Sequence, residues 1–245
     1  MTVTHDGALG GRIRIIQGRD GYRAGVDAAL LAAACGARAG ERVLDAGCGA
    51  GAVLLAAAVR SPRARFVGVE RDPQAVALAQ ANIAANDLAD RVTAVAGDIG
   101  NPFSRLGMKP FDAALANPPF FDDPAALRGP GAAKREAWIS DEGLGAWAAF
   151  LVKAVREGGD ITLIHRADRL GDILALLAPK AGSFQARAVH PFADAPAKRV
   201  IVRAIKTGKA PLRLLPPLIL HERGGAKHTD EVEAILRGEA GLGWG

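Results

Sequence analysis

The sequence predicts an α/β fold, with seven strands in a mostly parallel sheet, an antiparallel hairpin at its edge and helices on both faces. Two observations predict it. From about residue 40, short β-rich segments alternate with Ala-rich helical segments, a pattern typical of a parallel sheet covered by helices. The last two β-rich segments follow each other without a helix between them, which is typical of a hairpin.

The predicted elements follow one another in a regular order. The helix that begins at residue 52 ends at Ser61, because a residue before proline avoids the α region. Asp72 and Pro73 supply an N-cap and a first helical residue for the next helix. The strands are predicted at 42–45, 65–70, 92–96, 111–116, 160–165, 184–189 and 199–205, and further helices at 144–156 and 168–177.

Composition excludes several classes of protein. The 245 residues are 49% hydrophobic and 23% charged, as in ordinary globular chains. Two cysteines are too few for a disulfide scaffold, and no apolar run approaches the roughly 18 residues of a membrane helix. We expect one cytoplasmic domain over residues 1–245, without membrane association, bound metal or an obligate protein partner.

A glycine-rich loop over residues 45–51 joins the first strand to the first predicted helix. Gly47 and Gly49 let backbone approach a ligand closely, and the helix N-terminus offers free N–H groups. Glu70 ends the next strand, where a carboxylate can accept both ribose hydroxyls of an adenosine group. Cys48, a small side chain within the loop, and Arg71, which follows Glu70, complete this part of a predicted cofactor site.

Two cofactors match the loop. Gly47, Gly49 and Ala52 satisfy the fingerprint of a dinucleotide site. Asp45 would repel a pyrophosphate, however, whereas it favours the sulfonium and ammonium of S-adenosylmethionine. The loop therefore favours S-adenosylmethionine, with a dinucleotide or a ligand-free turn as alternatives.

Asp98 and Ile99 follow the third strand. Asp98 is placed to accept the amino group of the cofactor's adenine, while Ile99 packs on the ring. A plain turn or helix-capping aspartate is the alternative.

The tetrapeptide Asn117-Pro118-Pro119-Phe120 follows the fourth strand. The two prolines make a stiff turn that presents carbonyl oxygens, and Asn117 adds a side-chain acceptor. Acceptors for both N–H bonds of an aromatic amine would let its nitrogen become tetrahedral and would stabilise the positive charge that develops during methyl transfer. Phe120 offers a flat face on which a base stacks. These four residues are the predicted catalytic set, and Asn117 also borders the cofactor.

In this order, the glycine loop, Glu70, Asp98 and the tetrapeptide resemble class I amino-methyltransferases, which have a Rossmann-like fold. Residues 21–27 (GYRAGVD), 133–136 (AKRE) and 211–222 (PLRLLPPLILHE) are similar more narrowly to the bacterial tRNA(Val) adenine-N(6) methyltransferases. The resemblance implies that Arg23 and Asp27, within an N-terminal segment of residues 1–40, close over the cofactor. It also implies methylation of an adenine beside the anticodon of tRNA(Val). The family usually has tyrosine where this chain has Phe120, and phenylalanine also occurs in similar guanine-amine methyltransferases, so a guanine amine stays open as the target.

Basic residues indicate a nucleic-acid partner. Eight basic residues and one acid between Lys180 and Arg213 give this stretch a charge of +7, against +5 for the whole chain. Residues 184–245 are expected to form the edge hairpin and a C-terminal tail, and residues 121–142 a mobile substrate loop. The predicted RNA contacts are Lys134, Arg135, Lys198, Arg199 and Arg203.

The sequence therefore predicts methyl transfer from S-adenosylmethionine to the exocyclic amine of an unpaired adenine in tRNA. A guanine-amine RNA methyltransferase and a protein glutamine-amide methyltransferase remain alternatives. From another class, a dinucleotide-binding oxidoreductase or a non-catalytic nucleotide-binding module also remains, although either would leave residues 117–120 without a task.

Overall fold

A computed structural model describes residues 3–18, 25–119 and 143–245 of the chain. Ten strands are found among these residues. They are β1 (Val3–Ala8), β2 (Ile13–Gly18), β3 (Arg42–Ala46), β4 (Arg65–Glu70), β5 (Val92–Ala96), β6 (Phe111–Ala116), β7 (Val155–Arg166), β8 (Ala181–His190), β9 (Arg199–Lys206) and β10 (Arg213–Ile219).

Six α-helices accompany the strands in the described part of the chain. They are α1 (Val26–Ala33), α2 (Ala52–Arg60), α3 (Pro73–Ala85), α4 (Leu144–Ala154), α5 (Leu170–Leu177) and α6 (Asp230–Leu236). The predicted start of α3 is confirmed, because Asp72 Oδ1 accepts a hydrogen bond from the Gln74 amide at 2.8 Å. The predicted helix at 168–177 begins instead with a short 3-10 turn, Ala167–Arg169.

The large sheet has the strand order β10-β8-β9-β7-β6-β3-β4-β5. The strands from β7 to β5 are parallel neighbours, while β9 is antiparallel to both β7 and β8. The mostly parallel α/β architecture and the β8-β9 hairpin are therefore confirmed. The remaining pair, β1 and β2, forms a separate antiparallel sheet that the sequence did not reveal.

The predicted strand count and the edge position of the hairpin are wrong. The sheet has eight strands, because β10 pairs in parallel with the outer side of β8. β10 contains Pro216 and Pro217, which a strand tolerates only at an edge or at a bulge. The pairing of β10 with β8 does shift register between Leu215 and Leu218, where these prolines lie.

The sheet separates two apolar clusters, one on each face. Successive residues of a strand point to opposite faces, so Val43 joins the cluster that includes α1 and α2, while Leu44 joins the cluster that includes α4 and α5. The parallel strands β3 to β7 end at one rim of the sheet, which we call the carboxyl rim. The rim at which these strands begin is the opposite rim.

Candidate active site

Four neighbouring strands bring the motif residues to the carboxyl rim. Ala46 of β3 pairs with Val69 of β4 on one side and with Ala116 of β6 on the other. Glu70 at the end of β4 pairs with Ala96 at the end of β5. Gly47, Glu70, Asp98 and Asn117 therefore leave adjacent strands at one level. Three strand spacings span ~14 Å, so these residues line a single crevice.

The glycine loop is fixed by hydrogen bonds to the neighbouring strand. The amides of Gly47 and Cys48 donate to the Val69 carbonyl at 2.8 and 3.1 Å. The amide of Gly49 donates to Glu70 Oε2 at 3.0 Å. The loop and the acid predicted to bind ribose are thus one hydrogen-bonded unit.

The two predicted loop glycines play different parts. Both have positive φ, 65° for Gly47 and 54° for Gly49. A Cβ on Gly49 would meet no heavy atom within 4 Å, so this residue faces open space. A Cβ on Gly47 would lie 2.4 Å from Cη2 of Trp147, so an indole of α4 fills the space before Gly47. Sequence reasoning missed Trp147, which no motif marks.

Glu70 is held rigidly at the end of β4. Its Oε1 accepts the amides of Arg71 at 2.8 Å and Asp72 at 3.0 Å, while Oε2 accepts that of Gly49. A carboxylate has about four acceptor positions, so capacity for a hydroxyl donor remains. The Arg71 side chain is exposed, and its backbone amide is what orients the acid.

Asp45 is buried beneath the loop. Asp45 is only 1% exposed, and its Oδ2 has no hydrogen-bond partner among the described residues. Burial raises the pKa of Asp45 to about 8, and the charge of Glu70 adds to the rise. Burial therefore weakens both charge effects that the sequence suggested, the repulsion of a pyrophosphate and the attraction of a sulfonium.

Cys48 lies between the loop and β4. It is 7% exposed, and its Sγ occupies the space in front of Gly68, where an added Cβ would lie 2.6 Å away. Burial raises the pKa of Cys48 well above its ordinary value. The thiol is neutral at physiological pH and packs as a small side chain rather than acting as a nucleophile.

Asp98 makes the turn that was its alternative interpretation. Its Oδ1 accepts the Gly100 amide at 2.9 Å, and its carbonyl accepts the Asn101 amide at 3.0 Å. Oδ2 has no partner in the part of the chain that the structure describes. Ile99 is only 8% exposed and packs in the apolar cluster of α4 and α5, so little of it faces the crevice.

The predicted catalytic turn begins where β6 ends. Asn117 is half-buried, Pro118 is buried and Pro119 is half-buried. Because Ala116 pairs with Ala46, Asn117 emerges beside Gly47 on the next strand. Phe120 lies outside the described residues. So does the predicted 121–142 loop, with the predicted RNA contacts Lys134 and Arg135.

Asp27, predicted to close over the cofactor, meets Arg199, predicted to contact RNA. Arg199 Nε lies 2.9 Å from Asp27 Oδ2, and both side chains are partly buried. Arg199 pairs with Arg166 at the end of β7, so this ion pair lies at the carboxyl rim. It joins the first turn of α1 to β9. Arg23 lies outside the described residues.

The basic stretch does not form one surface. Arg199 and Lys198 lie at the carboxyl rim, but the chain of β9 then runs to Lys206, which pairs with Ala181 at the opposite rim. Seven residues of extended chain span ~23 Å. Arg203 lies between, bound to Asp160 at 2.7 Å and to Gln185 Oε1 at 2.9 Å. These contacts neutralise its charge and fix its guanidinium away from Lys198 and Arg199.

Asn82 is a second residue that sequence reasoning missed. It is fully buried on α3 and bonds to both the amide and the carbonyl of Ile16, at 2.7 and 2.8 Å. Its Nδ2 also donates to the carbonyl of Ala50 in the glycine loop at 2.9 Å. One amide therefore ties the N-terminal hairpin to the loop. A polar residue within a helical apolar pattern was the only signal.

No group of three or more metal-ligating side chains is found within the described ranges. None of the helices in the described part of the chain is long and apolar enough to cross a bilayer.

Comparison with known proteins defines the class of the fold. Residues 23–128 match the family model of the methyltransferase small domain. The crystal structure of a predicted O-methyltransferase from Agrobacterium tumefaciens matches with a TM-score of 0.73 and 27% identity, over 88% of this chain and 98% of that one. The fold is that of the class I S-adenosylmethionine-dependent methyltransferases.

Curated relatives indicate which methyltransferases this chain is similar to. A tRNA1(Val) (adenine(37)-N6)-methyltransferase of Porphyromonas gingivalis is 36% identical over 159 residues, which are 62% of this chain and 61% of that protein. A release factor glutamine methyltransferase of Geobacter sulfurreducens is 44% identical over 78 residues, 32% of this chain and 26% of that protein. The chain thus spans about 61% of the length of the tRNA-modifying relative. The resemblance predicted from the sequence is confirmed.

Proposed function

We propose that this chain is an S-adenosylmethionine-dependent methyltransferase acting on the exocyclic amine of an unpaired adenine in tRNA, next to the anticodon of tRNA(Val). One observation carries the proposal. The pairing of Ala46 with Ala116 sets the Asn117-Pro118-Pro119 turn directly beside the glycine loop. A cofactor turn and a turn suited to holding an amine thus share one crevice. The tRNA-modifying relative supports the choice of substrate.

The residues present fit the cofactor. Glu70 has acceptor capacity left for a ribose hydroxyl, and Gly49 faces open space. Beneath them, Asp45 Oδ2 is a buried atom without a hydrogen-bond partner among the described residues. A cationic ligand beside it would lower the raised pKa of this carboxyl and so favour its charged form. Asp98 Oδ2 is assigned to the adenine amine. When bound, S-adenosylmethionine supplies an electrophilic methyl group.

The residues of the turn after β6 act on the amine. An aromatic amine is a poor nucleophile, since its lone pair is delocalised into the ring. The Asn117 amide oxygen and the Pro118 carbonyl accept its two N–H bonds and thereby favour a tetrahedral nitrogen. Pro118 is buried and Pro119 half-buried, so these acceptors need little reorganisation. Phe120 stacks on the base.

The rest of the chain completes this arrangement. We assign residues 1–245 to one cytoplasmic domain, with Arg23 and Asp27 closing over the cofactor and the 121–142 loop meeting the RNA. The Asp27–Arg199 ion pair supports a link between the closing segment and the RNA side. Lys134, Arg135, Lys198 and Arg199 are assigned to phosphates, where they would give salt-dependent affinity.

The test is methyl transfer by the purified chain alone. Wild type is incubated with S-adenosylmethionine and with tRNA from cells lacking the gene, and the nucleosides are analysed by mass spectrometry. We expect N6-methyladenosine in tRNA(Val), mapped beside the anticodon by nuclease digestion. Methylguanosine would replace the adenine assignment by the guanine-amine alternative. Methylation of a Gly-Gly-Gln peptide without any change in tRNA would overturn the proposal in favour of the glutamine-amide activity.

A further inference from the structure

A stack of four side chains lies at the carboxyl rim outside the catalytic crevice. The Arg223 guanidinium carbon lies 4.5 Å from the centroid of the Phe192 ring. The Phe192 and His221 rings are 5.6 Å apart, and those of His221 and His228 are 5.3 Å apart and nearly parallel at 25°. We call these four residues the Arg223 stack.

The stack is anchored at one end and open at the other. His228 is 8% exposed, and its Nδ1 lies 2.9 Å from Glu233 Oε1. At the outer end, the Arg223 side chain is 65% exposed. Asp194 holds the guanidinium plane, accepting from Nε on Oδ2 at 3.0 Å and on Oδ1 at 3.2 Å, and from Nη2 on Oδ1 at 3.1 Å. The stack thus presents an oriented, flat, cationic face.

A cavity of about 510 Å³ opens beside this stack, lined by Phe192, Asp194, His221, Arg223 and the acids Glu222 and Glu231 among others. This volume lies in the range of small-ligand sites. Glu222 and Glu231 disfavour a phosphate in the cavity, but a carboxylate accepts hydrogen bonds from the amino group of a base. The chemistry therefore suits the base of a nucleotide and leaves its phosphate outside.

The Arg223 stack lies close enough to Asn117 for one RNA chain to contact both. Phe192 and Asp194 follow β8, and His221 to Arg223 follow β10, both at the carboxyl rim where Ile219 pairs with His190. β8 is three strands from β6, a lateral distance of ~14 Å. Between them lies exposed Lys198, directly before Arg199. A path from the catalytic turn to the stack therefore passes basic side chains.

We propose that the Arg223 stack and its cavity bind an unpaired base of the substrate RNA that neighbours the target base. The incoming base stacks on the guanidinium face, as bases do on arginine planes in RNA recognition. An adenine, cytosine or guanine places its amino group toward Glu222 or Glu231, which uracil cannot do. This inference rests on the proposed function and extends it to a second contact with the RNA.

The test compares Phe192→Leu with Phe192→Tyr. Leucine keeps apolar volume but has no ring, whereas tyrosine keeps the ring. The control is Phe184→Leu, a partly buried phenylalanine in the same strand–loop unit that packs in the core cluster. Arg223→Ala removes the outer plane. Each variant is measured for methyl transfer to tRNA, for affinity to S-adenosylmethionine by calorimetry, and for binding of oligo(A) and oligo(U) by fluorescence anisotropy at several salt concentrations.

We expect Phe192→Leu and Arg223→Ala to raise KM for tRNA about 5- to 100-fold, the range for losing one stacked base, with kcat and cofactor affinity unchanged. Phe192→Tyr and Phe184→Leu should behave as wild type. Wild type should prefer oligo(A) to oligo(U), and Phe192→Leu should reduce this preference without changing the salt slope, because stacking releases no counterions.

Three results would overturn the inference. One is an unchanged KM in both Phe192→Leu and Arg223→Ala. Another is a salt slope lowered by about 0.7 or more in Arg223→Ala, which would make Arg223 a phosphate contact. The third is equal binding of oligo(A) and oligo(U) by wild type. Failure of the proposed function is a separate result, since wild type would then leave tRNA unmethylated whatever its affinity for the oligonucleotides.

Discussion

The two halves of the large sheet relate distance along the chain to distance in space in opposite ways. In the parallel half, β3 to β6, residues separated by long stretches of chain converge, so that Gly47, Glu70, Asp98 and Asn117 meet at one rim. In the other half, the antiparallel β8-β9 hairpin carries Arg199 and Lys206 to opposite rims. Motif order therefore predicts a site in a parallel sheet, whereas local charge in a hairpin does not predict a surface.

The largest expected effect tests the site assembled by the parallel half. Asn117→Ala should lower kcat for tRNA methylation about 100-fold or more, because one acceptor for the developing positive charge is lost. Affinity for S-adenosylmethionine should stay within about threefold of wild type, which is less than about 1 kcal/mol. Rates and calorimetry decide it, with Asn101→Ala, in the turn after Asp98, as control. Parallel losses of rate and cofactor affinity would contradict the assigned role.

The contact between Gly47 and Trp147 gives the next effect. Gly47→Ala adds a Cβ 2.4 Å from the indole at a positive φ, and should cost about 2–4 kcal/mol of unfolding free energy. Gly49→Ala has a similar φ but open space, and should cost only about 1–2 kcal/mol. Both are measured by urea denaturation.

Trp147→Phe shortens the side chain that meets residue 47. The double variant Gly47→Ala/Trp147→Phe should have an unfolding free energy about 1 kcal/mol or more above the value expected from adding the two single losses. Strict additivity would mean that the indole does not limit the space before Gly47.

The hydrogen bonds of Asn82, which join the β1-β2 hairpin to the glycine loop, give the next prediction. Asn82→Ala leaves partly buried backbone groups of Ile16 and Ala50 unpaired, and should cost about 3 kcal/mol with a clear loss of S-adenosylmethionine affinity. Asn86→Ala is the matched control, since Asn86 bonds to Arg14 of the same strand but not to the glycine loop. It should cost about 1 kcal/mol and leave cofactor affinity unchanged. Equal cofactor affinity in both variants would show that the tie to Ala50 is unimportant.

Asp45 gives a pH dependence with a definite sign. Its folded pKa of about 8 lies above the unfolded value of about 4, so between these values the folded state holds a proton that the unfolded chain has released. The unfolding free energy should therefore fall as pH rises from about 4 to about 8, by at most about 1.4 kcal/mol per pH unit. Asp45→Asn should remove this fall, as urea denaturation from pH 5 to 8 would show. The same slope in wild type and Asp45→Asn would exclude a raised pKa.

The smallest effect belongs to the antiparallel half. Lys198 at the carboxyl rim and Lys180 at the opposite rim are both exposed, so they are matched in charge but not in position. Lys198→Ala should reduce the slope of log K against log salt for tRNA binding by about 0.7–0.9, the value for one phosphate contact, and Lys180→Ala should leave it unchanged. Equal changes would restore the single basic surface that the sequence suggested.

Much of the fold was open to prediction where local signals were strong. The Asp72-Pro73 start of α3 and the Ser61-Pro62 end of α2 depend on backbone chemistry within a few residues, and both are found. β10 escaped prediction because its prolines oppose a strand, and only an edge position beside β8 makes them tolerable. The hairpin β1-β2 is held by amides from Asn82 and Asn86, more than 60 residues away, which no local pattern reports.

By itself, the sequence determined the glycine loop, the acid at the end of the second strand of the parallel core, the turn after β6 and hence their common crevice, because parallel strands end at one rim. Only the tertiary structure decided that Trp147 fills the space before Gly47, that Asp45 is buried with a raised pKa, and that the basic stretch divides between two rims. The physical reason is the range of the interactions. Strand direction and turn chemistry are written in neighbouring residues, whereas burial and the distance between charges depend on chain that returns from elsewhere.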